Sequence, residues 1–185
     1  MVAELRSAYA AQSRVTLHRD DLADADHLHG LVVAVGDDWL LLEVYDDSIY
    51  FDGWDALRIA DVTEVEVETP DFQAYVDRAR AQLPDPPAIP LAVLEAVAQR
   101  GAKAVPQLIA SAPLVGIWTE QEDSEVLFIG RSEPDGGAEI TIREIDATGT
   151  WNDDVSDFDA EEISRVTIGG RYQDGLERYG DPAPA

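Results

Sequence analysis

The feature that most restricts this chain is a pattern that returns after one hundred residues. Phe72-Gln73 followed by Val76-Asp77-Arg78 has its counterpart in Tyr172-Gln173 followed by Leu176-Glu177-Arg178. Each stretch follows an alternating, strand-like run: Val62 to Val67 in one case and Ile163 to Ile168 in the other. Repetition of the order of elements as well as of residues argues for an internal duplication. Between the copies lies Leu83-Pro84-Asp85-Pro86-Pro87-Ala88-Ile89-Pro90. Four prolines in seven residues can continue neither a helix nor a central strand, so this is a stiff, extended connector. The expected organisation is a first unit over 1–83, a connector over 84–90 and a second unit over 91–185.

Charge supports two units of one kind. The chain of 185 residues carries 13 Lys plus Arg against 38 Asp plus Glu, a net charge of −25. Residues 1–83 hold 6 bases and 18 acids and residues 91–185 hold 7 and 19, a net −12 each, so neither half is an acidic tail. Such a balance repels phosphate, and no basic stripe is present to displace counterions, so nucleic acid and anionic membranes are unfavoured partners. A cationic protein partner or a divalent metal stays open, as do acids that simply solvate the surface or reflect salt adaptation. The absence of cysteine removes disulfides, thiolate nucleophiles and Cys-ligated zinc. No window approaches the roughly 18 apolar residues of a membrane span, and the first residues lack a signal-peptide core; a soluble, cytoplasmic protein is expected.

Local patterning is mostly β. Val2 to Gln12 reads as a short helix and Val15 to His18 as a strand. His29 to Val35 and Trp39 to Tyr45 form a hairpin around Gly36-Asp37-Asp38. Asp46-Asp47-Ser48 turns the chain into Ile49 to Phe51. Asp52-Gly53 marks a further turn or bulge before Trp54 to Ile59. Asp71 is placed to cap a helix over Phe72 to Gln82. In the second half Leu91 to Arg100 reads as a helix. Strands are expected at Leu114 to Trp118, Glu125 to Gly130 and Glu139 to Ile145, the last entered through Pro134-Asp135-Gly136-Gly137. The expectation is a mainly β (α+β) chain whose short strands bend and close as two tandem small barrels.

The leading helix, the Gly30 to Val35 strand, the Trp39-Leu40-Leu41-Leu42 return strand and the Val62 to Val67 strand resemble the Sm-like (SH3-type) barrel over residues 1–70. The resemblance implies a binding fold, with RNA as one class of ligand. Where Sm-like proteins usually carry an Ile-Arg-Gly or Lys-His type RNA signature, this chain has Leu57-Arg58-Ile59-Ala60-Asp61. The Gly53 to Arg58 segment also resembles a Gly-Trp/Tyr-x-Ala-Leu-Arg segment of bacterial proteins, a likeness that implies no activity.

Catalytic signatures are missing. Gly169-Gly170-Arg171 sits where a phosphate loop would, but lacks the Gly-Lys-Ser/Thr ending and reads as a tight strand-to-helix turn. No nucleophile elbow accompanies Ser13 or Ser48. The chain therefore reads as a non-catalytic protein-interaction or regulatory module that needs no cofactor. Trp54 and Arg58, on one strand face, together with Tyr50, are the candidate partner-binding residues. The alternatives are an Sm-like nucleic-acid-binding protein and a metal-binding protein. For the latter Asp24, Asp26, His27 and His29 are the candidate ligands in the acidic Asp20–His29 loop.

Overall fold

The computed structural model describes residues 1–46, 49–133 and 140–184. The first half runs α1 (Val2–Ala11), β1 (Arg14–His18), β2 (Leu28–Val35), β3 (Trp39–Asp46), β4 (Tyr50–Arg58), β5 (Glu64–Val67) and α2 (Pro70–Arg80). After a stretch over 84–90 that is neither helix nor strand come α3 (Leu91–Val97), α4 (Ala104–Ile109) and β6 (Val115–Trp118). The chain ends with β7 (Leu127–Ser132), β8 (Ile140–Ile145), β9 (Trp151–Phe158), β10 (Arg165–Ile168) and α5 (Arg171–Tyr179). Among the described residues the result is mainly β with five short α-helices.

The ten strands among the described residues share one antiparallel sheet in the order β5-β1-β2-β3-β4-β10-β6-β7-β8-β9. Within each half the order is the same: the fifth strand lies outside the first, followed by the second, third and fourth. The expected pair of closed barrels does not form. Closure of the first half would need the free edge of β4, and β10 occupies that edge, pairing Arg165 with Leu57 and Ile168 with Trp54. Among the described residues the sheet is therefore continuous across the halves and open at β5 and β9.

Local details repeat at the same spacing. The β3–β4 ladder slips between Glu43 and Tyr45, and the β8–β9 ladder between Arg143 and Ile145. Such bulges bend the strand and sharpen its twist. Gly30 on β2 and Gly130 on β7 each face the partner backbone so closely that a Cβ would stand 2.3 Å from the carbonyl oxygen of Glu43 or Arg143. Each half thus has a glycine where a bent strand presses onto its neighbour.

Burial explains the apolar runs. Leu40 and Leu42 face α1, joining Leu5, Ala8, Val15, Leu17, Val32 and Leu57. Trp39 and Leu41 point the other way, into a core shared by both halves: Trp54 and Ala56 from β4, α3 and α4, and Val115, Ile142, Val166 and Ile168. Because β3 is covered on both faces, its run Trp39 to Leu42 does not alternate. A smaller cluster of Leu114, Ile129, Ile145 and Leu176 lies under α5.

Some elements differ from the sequence expectation. The helix expected over Leu91 to Arg100 ends at Val97, and α4 resumes after a 3₁₀ turn at Gly101–Lys103. β4 is one strand because Gly53, at φ 94°, absorbs the expected turn within it. Helix α2 starts at Pro70, with Thr69 in place of Asp71 as its cap: the Thr69 hydroxyl accepts the Phe72 N–H, and proline suits the first helical position. The hairpin at Gly36-Asp37-Asp38 forms as expected, closed by the Gly36 N–H on the Trp39 carbonyl at 2.8 Å. The turn residues Asp47, Ser48 and Pro134 to Gly137 lie outside the described residues.

Candidate functional site

The halves meet at a buried charge network. Arg19 directly follows β1, and Glu120 lies two residues after β6, in the corresponding loop of the second half. Arg19 Nη1 donates to Glu120 Oε2 at 2.5 Å, and its Nε and Nη2 reach the Asp26 carbonyl at 3.3 and 2.8 Å. The Ser164 hydroxyl is 2.9 Å from the same Glu120 oxygen. Arg165 Nη2 stands 2.8 Å from Glu120 Oε1, at ion-pair distance but off the line of a hydrogen bond. Its Nη1 is 3.4 Å from Asp55 Oδ2, and its guanidinium lies 3.9 Å from the centre of the Trp118 ring. Arg19 and Glu120 are each 1% exposed along the side chain. Two cations face two anions, so the net charge of the network is zero despite the acidity around it. Burial pushes the Asp55 carboxyl above its ordinary pKa, and Arg165 opposes that rise. The Arg165 Nε has no hydrogen-bond partner of its own, but the four charges balance one another across the halves, which suits the network to fastening them together.

Above this network, a cleft of 360 Å³ separates the loop after β1 from the loop after β6. Its walls carry Asp21, Asp24, Glu122, Asp123 and Glu125, and the Ser124 hydroxyl crosses it to the Ala23 carbonyl at 2.6 Å. Beside the cleft sits an imidazole pair. His18 ends β1 and His27 immediately precedes β2, so the hairpin register Leu17 to Leu28 sets the two rings side by side. Their centroids are 4.3 Å apart at an interplanar angle of 56°. The Asp20 carboxylate approaches His27 Nε2 at 3.4 Å, and Glu66 on β5 approaches His18 Nε2 at 3.3 Å. Ligating atoms of His18, Asp20 and His27 all lie within 4.8 Å of one another.

The structure disperses the metal ligands expected from sequence. His27 keeps its place, but its neighbours are His18 and Asp20. His29 lies on β2, where Nδ1 meets the Thr16 hydroxyl at 2.7 Å and Glu68 at 4.0 Å. Asp24 lines the acidic cleft, and Asp26 offers its carbonyl to Arg19. His27 immediately precedes β2 and lies against His18, whereas His29, two residues on, lies against Thr16.

The candidate partner residues also separate. Trp54 is 4% exposed, sealed in the shared core with Phe51 edge-on at 5.0 Å, so it belongs to packing and not to a surface. The face it shares with Arg58 is the one that α3 and α4 cover. Arg58 is half-buried over the Trp39 ring at 5.6 Å, with Nη2 on the Ala160 carbonyl at 2.8 Å. Tyr50 alone is exposed, 6.0 Å from the Arg171 guanidinium.

One surface was not legible as a unit in the sequence. The acidic run Asp153, Asp154, Asp157 reads as a cluster; it is the middle of β9, the outermost strand of the second half. Asn152, Asp153, Asp154 and Val155 are exposed. Arg143 Nη1 takes the carbonyls of Asn152 and Asp153 at 3.2 and 2.7 Å. Among the described residues no strand pairs with the far edge of β9. The other edge, β5, is four residues long and carries Glu64 and Glu66 outward. Among the described residues no helix is long and apolar enough to cross a membrane. No protein-family model matches the chain, and comparison with curated proteins and with solved structures finds no match.

Proposed function

We propose that this chain is a non-catalytic protein-interaction or regulatory module, made of two copies of an Sm-like β unit, that receives a basic extended segment of a partner protein along β9. The identical strand order of the halves, with glycines and bulges one hundred residues apart, supports the duplication. The observation that carries the functional reading is the open edge of β9, an eight-residue strand whose exposed side chains are chiefly acidic. An unpaired edge offers main-chain groups to an incoming strand, and side chains on alternate faces set which strand is accepted. Asp153, Asp154 and Asp157 are spread along β9, so Lys or Arg at alternate positions of the partner would meet a carboxylate. The same acids reject a second copy of the chain, whose edges are also acidic, and selectivity of this kind is a difference between affinities. Phosphate backbones are rejected for the same reason.

A labelled ten-residue peptide of alternating Lys and Val tests the reading by fluorescence anisotropy. Binding is expected, falling as salt rises. The pair Asp153→Lys with Asp154→Lys should weaken it tenfold or more. A control pair, Asp71→Lys in the first half with Asp85→Lys in the connector, makes the same charge change at exposed positions and should leave most of the affinity. Equal weakening by both pairs would show general attraction to an acidic protein and remove β9 as the binding edge.

A further inference from the structure

We infer that His18, Asp20 and His27 form a binding site for a first-row transition-metal ion of the zinc or cobalt type. The argument begins with backbone pairing. The β1–β2 hairpin fixes Leu17 opposite Leu28, and the next residue outward on each strand is a histidine. Both imidazoles are thereby presented from ordered strand ends, and Asp20 follows two residues after His18. The loop is held in place from several sides: the Asp20 N–H donates to the Thr63 hydroxyl at 3.1 Å, and Arg19 grips the Asp26 carbonyl. The three ligating atoms already lie within 4.8 Å of one another, and Asp20 is 3.4 Å from His27 Nε2. Around a tetrahedral ion with bonds of about 2.0–2.2 Å, donors sit roughly 3.4 Å apart, so small side-chain rotations complete the contraction.

The donor set selects the ion class. Two imidazoles with one carboxylate are borderline ligands that suit zinc, cobalt or nickel, whereas calcium and magnesium favour an all-oxygen shell. Glu66, 3.3 Å from His18 Nε2, is placed either to orient that ring or to swing in as a fourth ligand. This differs from diffuse attraction of cations to an acidic surface, because it depends on two particular rings. It is also independent of the β9 edge, which contributes no ligand.

The test uses the full-length protein stripped with chelator and then titrated with Co²⁺ in the presence of millimolar Mg²⁺, which saturates non-specific carboxylate sites. One Co²⁺ per chain is expected, with visible d–d absorption of imidazole-bound cobalt, displaced by one equivalent of Zn²⁺. His18→Gln and His27→Gln should each lower the affinity at least tenfold. His29→Gln, altering the histidine engaged by Thr16 and Glu68, should leave it unchanged. Circular dichroism of each variant separates loss of ligand from loss of fold, and Asp20→Asn provides a second, smaller change. Absence of d–d bands under these conditions overturns the proposal. So does a site that survives in both His18→Gln and His27→Gln, or one that His29→Gln removes equally.

Discussion

Glu120 is the residue on which most depends. It accepts from Arg19 on one side, stands against Arg165 on the other, and has almost no access to water. Glu120→Gln keeps the shape and removes one charge, leaving two buried guanidinium groups facing the single carboxylate of Asp55. Loss of one partner from a buried network typically costs about 3–5 kcal/mol, and denaturant unfolding should show a loss of that order. Arg19→Met removes the opposing charge. The pair of substitutions should then cost clearly less than the sum of the single ones, because the remaining Arg165–Asp55 pair is again neutral. Simple additivity in that cycle would mean that the four groups do not act together. None of this is legible in the sequence: Arg19 and Glu120 lie 101 residues apart, and Arg165 and Asp55 lie 110 apart. Among 38 acids and 12 arginines no local pattern marks these four, since the pairing depends on how one half docks onto the other.

At the scale of elements, the close approach of paired strands sets what can be changed. A methyl group at Gly30 or Gly130 would collide with a facing carbonyl that belongs to the sheet ladder and cannot rotate away. Gly30→Ala and Gly130→Ala should each destabilise by roughly 1–3 kcal/mol, the usual cost of overpacking. A thermal melt of each variant checks this, and a neutral effect at either position would contradict the backbone spacing. Sequence reading succeeded where one short-range signal governs an element. The Gly36-Asp37-Asp38 hairpin, the Gly169-Gly170 turn before α5 and the Pro-rich stretch all depend on backbone freedom or its loss. It failed where a neighbour decides. The acids of β9 have poor strand propensity, and only the β8 ladder makes that run a strand. Alternation placed Trp54 and Arg58 on one face, but the helices α3 and α4 determine that this face is inside. The cap expected at Asp71 falls instead on Thr69, because Pro70 takes the first helical position.

For the whole molecule, pH and charge act in the same direction. Burial raises Asp55, Glu43 and Asp61 above their ordinary pKa values, against the pull of Arg165 on the first, Arg80 and Arg14 on the second, and the Gln121 amide on the third. A carboxyl with a raised folded-state pKa binds its proton more tightly when folded. Its contribution is therefore present at and below the ordinary carboxylate value and is lost as pH rises through the raised one. Self-repulsion of a chain at −25 also grows as carboxylates ionise. Glu133, lowered by hydrogen bonds from Arg131 and Arg143, and Asp146, lowered by the Thr148 hydroxyl and backbone N–H groups, work the other way, but at the exposed surface. Melting temperature should consequently rise as pH falls from neutrality toward the ordinary carboxylate range, and at neutral pH it should rise with added salt. A protein most stable at low salt and alkaline pH would contradict this balance.

The β4–β10 seam bears on how such a chain is made. During synthesis the first half leaves the ribosome with one edge of β4 unpaired, and the strand that covers it is translated more than a hundred residues later. Until then the nascent chain exposes an adhesive border to every other polypeptide nearby, so the interval between making the two strands is the period in which this molecule is most vulnerable.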